Sequence, residues 1–460
     1  MLNDKTIAAF KAQFRGAVVE PGDATYDEAR KVYNAMIDKR PRLVAQCADV
    51  ADVITAVNFG RDNGLLVAVR GGGHNGPGFG TCDGGLVIDL AGLKGVRVDQ
   101  ARSQVRVEPG CTQGDVDHAT HAFGLAVPAG IVGSTGVAGL TLGGGHGYLT
   151  RQYGLTIDNL LEVDLVLADG RLVTASEREN SDLFWAVRGG GGNFGVVTSF
   201  LFRAHPVKNV YGGPIFWDLK QAKEVMRFYR DFLPNAPEKL SIFIGLKIVP
   251  PVPVFPQALW GKRICGLFGC YTGTQAEGQK AMKPVRDALP KPLLDGMGEI
   301  PFPALQSMFD PLLPKGLQWY WKGSFIRELT DAAIDVVVEH AGQSPEGLSL
   351  THLYPIDGAA HRVASDATAW SARDAKISMV IAAIDPDPAK AGALKRWGRE
   401  YWQAVQKVNP GTGYLNFMMD DEGDDRVRAI YGANYKRLQQ VKKKFDPANF
   451  FRVNQNILPA

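Results

Sequence analysis

Two histidines of this chain sit inside glycine-rich turns, His74 in Arg70-Gly71-Gly72-Gly73-His74-Asn75 and His146 in Gly143-Gly144-Gly145-His146-Gly147. Three consecutive residues without a Cβ let main-chain N–H groups crowd an anionic ligand such as a diphosphate. His74 stands at the mouth of that cradle. His146 closes a longer stretch, residues 130–147 (GIVGSTGVAGLTLGGGHG), which is too poor in charge to be a solvent-exposed linker. Such a backbone must pack against something flat or polyanionic. A third cluster, residues 189–192, runs through Asn193-Phe194-Gly195 into the β-branched Val196, Val197 and Thr198. Three clusters, each leading into strand-like sequence and one bearing a histidine, point to a large ligand with a diphosphate and a flat ring.

The elements that must position these turns follow from hydrophobic spacing. Val50, Val53, Ile54 and Val57 recur at helical intervals after the N-cap candidate Asp49, and Asn63-Gly64 ends the helix. The apolar run 65–69 feeds the His74 loop, and 86–90 follows as a second strand after Asp83-Gly84-Gly85. Val96 and Val98 alternate on one arm of a hairpin, Val105 and Val107 on the other. Thr112 caps a short helix to about Phe123. A strand at 161–167, a helix at 182–187 and a strand at 196–202 complete the glycine-rich half. Beyond His205-Pro206 the glycine density falls. Apolar strands at 242–248, 264–271, 348–353 and 377–384 alternate with helical stretches near 220–233, 276–289, 331–341 and 388–407. That pattern predicts an antiparallel sheet covered on one side by helices. The tail, 431–445, reads as one amphipathic basic helix.

Composition narrows the classes. At 460 residues and 45% hydrophobic content, the chain can bury a sizeable core and is expected to divide in two. Fifty-one basic against 48 acidic residues leave a net charge of +3, which argues against nucleic-acid and membrane partners. The N-terminus lacks the long apolar core of a signal peptide, so a cytoplasmic location is expected. Five scattered cysteines do not make a disulfide framework. Gly190-x-Gly192-x-x-Gly195 spells a dinucleotide fingerprint, but a helix precedes it and a strand follows, the reverse of what that motif needs. Ser134 lacks the first glycine and the strand of a nucleophile elbow. Asp115, His118 and His121 share a helical face, which reads as a polar surface, and no metal is expected.

RGGGHN (70–75), DGGLVIDL (83–90), GGGHGYLTRQYGLTIDN (143–159), LFWAVRGGGGNFGVVT (183–198) and FDPANFFRVNQNI (445–457) occur in one order. Together they resemble the berberine bridge enzyme-like flavin oxidases, of the vanillyl-alcohol-oxidase/PCMH-type superfamily, and among bacterial members the 6-hydroxy-D-nicotine oxidase type. The resemblance implies an α+β, two-domain PCMH-type fold. Residues 1–205 and 430–460 would bind FAD, and 206–429 would form the substrate domain of antiparallel sheet covered by helices.

It further implies that a ring nitrogen of His74 bonds the flavin 8α carbon. Some members add a second link from a cysteine; that position is Val132 here, so a single attachment is expected. Gly71, Gly72, Gly73, Ser134, Thr135, Gly136, Val137 and Gly139 would line diphosphate and ring, with Arg70, Asn75, Gly143, Gly147 and Asn416 in the same set. Val197 would contact the adenine side, and Asn454 would reach the flavin from the tail. Thr135 stands where relatives control oxygen access, usually with an aliphatic residue, leaving oxidase and dehydrogenase behaviour open. The chemistry implied is hydride transfer from a substrate C–H to flavin N5, with a base for the adjacent O–H or N–H. A tyrosine used by many relatives falls on Phe417. Another catalytic position corresponds to His146, whose imidazole ordinarily titrates near neutrality; alternatively His146 hydrogen-bonds backbone beside the flavin. Tyr414, Asp366, His352 and Arg373 are further catalytic candidates, and Trp319, Tyr320 and Trp321 either shape an aromatic pocket or pack the core. Expected partners are a small-molecule alcohol, amine, sugar or aromatic natural product and O2, in a monomer or homodimer. The alternatives are a flavin-binding protein without turnover and a dehydrogenase using another acceptor.

Overall fold

The computed structural model describes residues 2–345 and 347–460, built around three main sheets. In the first, the strands Leu43–Gln46, Leu86–Asp89 and Val67–Arg70 run parallel, with Ala17–Val19 antiparallel on the outer edge. The helix Val50–Asp62 packs on it, its N-terminus closed by the Asp49 carboxylate accepting from Asp52 N. Arg70 and Asp89 face each other in register at the ends of neighbouring strands and form a buried ion pair at 2.7 Å. That pair fixes the point where the chain leaves the sheet and enters the triple glycine.

The second sheet is antiparallel, in the order Val96–Asp99, Gln104–Val107, Val196–Arg203, Leu160–Val166, Leu172–Ser176. Its apolar face meets the helices Gln113–His121, Ser181–Val187 and Tyr435–Phe445. Thr112 and Asp115 close a capping box on the first of these, and Asp115 also pairs with Lys94, which occupies the carboxylate of the Asp115, His118, His121 face.

The third sheet is eight-stranded and antiparallel throughout, and takes its strands from residues 209–385. Period-2 alternation gives it two buried faces. Ile242, Ile244, Met379 and Ile381 point to the helices Ala222–Phe232, Asp331–Gly342 and Ala391–Val408, while Phe243, Tyr354, Val380 and Ala382 point the other way. It includes two strands that the sequence reading left unassigned, Asn209–Asp218 and Gln318–Ile326.

The tail differs from the expected single helix. Asp424–Tyr431 and Tyr435–Phe445 are separate, broken by a tight turn at Gly432–Asn434. Gly432 takes φ +51°, and the Asn434 amide donates to the Ser365 and Thr368 carbonyls at 2.8 and 3.1 Å, which locks the break. No described helix is long and apolar enough to cross a membrane.

Candidate active site

A cavity of about 350 Å³ lies between the glycine-rich turns and the face of the eight-stranded sheet that carries Val380 and Ala382. One wall is main chain. The 71–73 loop meets the 133–136 turn so closely that a Cβ on Gly72 would stand 2.5 Å from Gly136 backbone, and one on Gly136 2.4 Å from Gly72 N. Glycine is required there by contact. Gly139, in the helix Val137–Leu142, and Gly192 are different: both line the cavity, neither has positive φ, and a Cβ on either would meet nothing within 4 Å. The protein's own packing has no need of glycine at these two positions, but a ligand lying against the backbone does.

The opposite wall comes from sheet register. Leu350 pairs with Ala382 and Ala382 with Trp321, while His352 pairs with Val380, so one patch of three strands faces the cavity. Trp319 and Trp321 line it, whereas Tyr320 between them points to the other face and donates to Asp421 at 2.8 Å. The indole nitrogens of Trp319 and Trp321, both imidazole nitrogens of His146, Asn454 Oδ1 and Gln455 Nε2 are buried without partners on other residues, and all belong to cavity-lining residues. Buried polar atoms are ordinarily hydrogen-bonded. So many orphans around one cavity, together with the bare glycine wall, fit a large polar ligand with a flat ring.

On the cavity wall, the His74 ring is stacked on Tyr33, with centroids 3.8 Å apart and planes 20° apart, and Ser134 Oγ lies 3.1 Å from Nε2. Burial holds its imidazolium down to about 4, partly offset by a hydrogen bond to the Ser134 backbone, so His74 is neutral at physiological pH. His146, also on the cavity wall, sits 4.7 Å from the Tyr414 ring and 5.1 Å from Tyr354. Burial pushes His146 down to about 3. The reading of a base that titrates near neutrality is therefore corrected, because no carboxylate compensates the buried ring. As for the other reading, a hydrogen bond to backbone, the ring engages only His146's own main chain, which offsets a little of the lowering, and no other described residue. Tyr414 Oη accepts from Gly145 N at 2.8 Å and Asn416 Nδ2 at 2.7 Å, and burial raises the phenol well above its usual range. His352 Nδ1 is 2.7 Å from Tyr354 Oη; burial, and then the positive charge of Lys247, lower His352 to about 3.

Residues 41–176 match the family described as FAD binding domain, and 413–458 that described as berberine and berberine like. An FAD-linked oxidoreductase of Dictyostelium discoideum is 33% identical over 98% of this chain and 96% of its own. This chain belongs to the berberine-type FAD-linked oxidoreductases. (R)-6-hydroxynicotine oxidase of Paenarthrobacter nicotinovorans is 40% identical over 50% of this chain and 52% of its own. The crystal structure of 6-hydroxy-D-nicotine oxidase from Arthrobacter nicotinovorans superposes with a TM-score of 0.87 at 26% identity, covering 97% and 98% of the two chains. The fold is accordingly the α+β PCMH type expected from the motifs, and the protein is an enzyme whose cofactor is FAD.

In this FAD-linked oxidoreductase most of the nominated residues converge. Gly71, Gly72, Gly73, His74, Asn75, Val132, Thr135, Gly136, Gly139, Val197, Asn416 and Asn454 line the cavity, as do His146, His352 and Tyr414. Others do not. Arg70 reaches the wall, but its guanidinium is spent on Asp89, Ala29 O and Lys31 O. The Val137 side chain is buried in the core behind the wall; Gly143 packs on Asn416 and Gly147 on Ala129 O, so these three support the site from behind. Asp366 and Arg373 are corrected as catalytic candidates. Asp366 is exposed and outside the cavity, contributing its carbonyl to Trp185 Nε1, and Arg373 is held in a buried two-pronged bond to Asp158 at 2.7 and 2.8 Å. No cysteine lines the cavity among the described residues. Tyr33 and Tyr354 went unnoticed in the sequence: neither lies in a glycine motif, and Tyr33 meets His74 only by tertiary packing, whereas the His352-x-Tyr354 spacing on one strand was a signal that could have been read.

Proposed function

We propose that the protein oxidises an uncharged hydroxyl-bearing substrate, an alcohol, sugar or aromatic natural product, with FAD attached through His74 alone. The observation that carries this reading is one cavity lined both by a partner-held neutral histidine, His74, and by a histidine without a partner on another residue, His146. Bound FAD supplies the hydride acceptor, flavin N5. Ser134 engages His74 Nε2, which leaves Nδ1 as the nitrogen available for attachment. No cysteine stands on the wall for a second link.

Substrate charge is argued from what lines the cavity. Arg70, the one charged side chain on the wall among the described residues, is neutralised by Asp89, and both His146 and His352 are neutral. A carboxylate or ammonium substrate would enter uncompensated, at a cost of several kcal/mol. Trp319 and Trp321 present aromatic surface and indole donors to an oxygen-rich or aromatic compound.

His146 takes the substrate proton. A ring with a pKa of about 3 is a weak base, but it is unprotonated across the working range. As hydride leaves the carbon, the substrate O–H takes on the acidity of a protonated carbonyl, so a weak base suffices. We assign residues 1–205 and 430–460 to the cofactor side and 206–429 to the substrate side, and O2 as the acceptor, yielding H2O2. The test is anaerobic mixing of the purified flavoprotein with a panel of neutral alcohols and sugars, their carboxylate analogues and amines. Bleaching confined to neutral members supports the reading, and bleaching by the charged members alone overturns it. Oxygen uptake on re-aeration checks the acceptor.

A further inference from the structure

The His74 ring is gripped on two sides. Tyr33 lies flat on the His74 ring at 3.8 Å and is itself tethered at three points: its hydroxyl donates to Leu313 O at 2.6 Å, its main-chain N–H donates to Gly73 O at 3.0 Å, and its ring packs on Trp319 at 5.0 Å. Ser134 approaches in the other direction, from the turn whose Gly136 is in backbone contact with Gly72, and its Oγ reaches His74 Nε2 at 3.1 Å. Ser134 is exposed, whereas the imidazole it holds is half-buried. Two segments far apart in sequence, 33 and 134, thus converge on one ring.

We infer that Ser134 and Tyr33 are the positioning pair that makes His74 a nucleophile toward the flavin. The inference rests on the proposed His74 linkage and adds who prepares it. In the tautomer this inference requires, Ser134 Oγ accepts from Nε2–H and the lone pair is left on Nδ1. Tyr33 holds the ring plane, so that the lone pair keeps one direction. Attachment then forms the bond from Nδ1 to the 8α carbon and breaks one 8α C–H bond and the Nε2–H bond. Two protons leave, and the electron pair of the broken C–H bond stays on the ring system until O2 removes it as H2O2. The Nε2 proton has a short way out, because the Ser134 hydroxyl that receives it is in contact with solvent. An imidazole already neutral above about pH 4 needs no prior deprotonation.

The experiment follows covalent flavin and total flavin separately in wild type, Ser134→Ala, Ser134→Thr, Tyr33→Leu and Tyr33→Phe. Total flavin is read from the absorbance of the native protein, and covalent flavin from the colour and in-gel fluorescence of the acid-precipitated chain. Ser134→Ala is expected to bind FAD but to attach it about tenfold more slowly, the effect of losing one oriented hydrogen bond. Ser134→Thr, which keeps the hydroxyl, restores the rate. Tyr33→Leu slows attachment, while Tyr33→Phe, which keeps the stacked ring, stays near wild type. Attachment in Ser134→Ala at the wild-type rate overturns the inference, as does slow attachment in Ser134→Thr and Tyr33→Phe together. If wild type itself releases all its flavin in acid, the His74 linkage fails instead.

Discussion

Replacing Asp117 by Asn removes a charge for which the fold has no counter-ion. Asp117 is buried on the helix Gln113–His121, and its carboxylate has one distant hydrogen bond, from Gln306 Nε2 at 3.5 Å. It lines a small cavity of about 20 Å³ behind the helix Val137–Leu142, together with the Gln113 amide and Thr141 hydroxyl, both without partners. Burial raises its pKa from 3.8 to about 7, and the like charge of Asp310 adds to the rise. The folded state therefore holds this proton more tightly than the unfolded chain. Stability is unaffected below about pH 4, falls as the pH climbs toward 7, and stays low above it. At about 1.4 kcal/mol per pH unit, the full loss is about 4 kcal/mol. Asp117→Asn escapes it. Urea unfolding at about pH 4.5 and about pH 8.5 is expected to show the variant more stable than wild type by about 1 kcal/mol in acid and by up to about 4 kcal/mol in base. An equal difference at the two pH values would refute the reasoning. A wild type more stable than the variant in base would refute it as well.

Other outcomes follow from the same geometry. Gly139→Leu adds a good helix former where no protein atom stands within 4 Å, so the chain should fold normally yet lose FAD, as measured by flavin absorbance per chain. Gly72→Ala, whose Cβ would strike Gly136, should instead lower the melting temperature. His146→Phe is expected to slow anaerobic flavin reduction about a hundredfold or more, read by stopped-flow bleaching. In wild type the same rate should be flat between about pH 5 and pH 8, because His146 protonates only near 3; an inflection near 6.5 would mean an ordinary imidazole. Arg373→Met leaves Asp158 buried and unpaired, and should cost about 3–5 kcal/mol in urea unfolding without changing the reduction rate of the flavin-loaded protein.

Local signals were legible wherever local chemistry decides structure. Asp49 and Thr112 cap the helices they were expected to cap, and the hairpin around residues 96–107 pairs Val96 with Val107 and Val98 with Val105. The glycine turns were readable because missing Cβ atoms leave a trace in one dimension. Gln318–Ile326 was hidden because Trp319, Tyr320 and Trp321 put aromatics on both of its faces, so no alternation shows. Asn209–Asp218 was hidden by Gly212-Gly213-Pro214, which reads as a turn, although Gly213 at φ +140° lies within the strand. Arg373 looked catalytic beside an active-site segment, and its partner Asp158, 215 residues away, could not be read from spacing. The depressed basicity of His146 arises from burial among three rings of two distant segments, Tyr354 and the Tyr414–Phe417 turn, which no motif records.

The central claim is that His74 holds the flavin by itself. Trypsin cuts after Arg70 and Lys94, releasing residues 71–94 with His74 as their only histidine. Mass spectrometry of that peptide from the native yellow protein should find it carrying the mass of FAD, with every cysteine-containing peptide other than this one unmodified. A bare 71–94 peptide from protein that retains its colour would contradict the account.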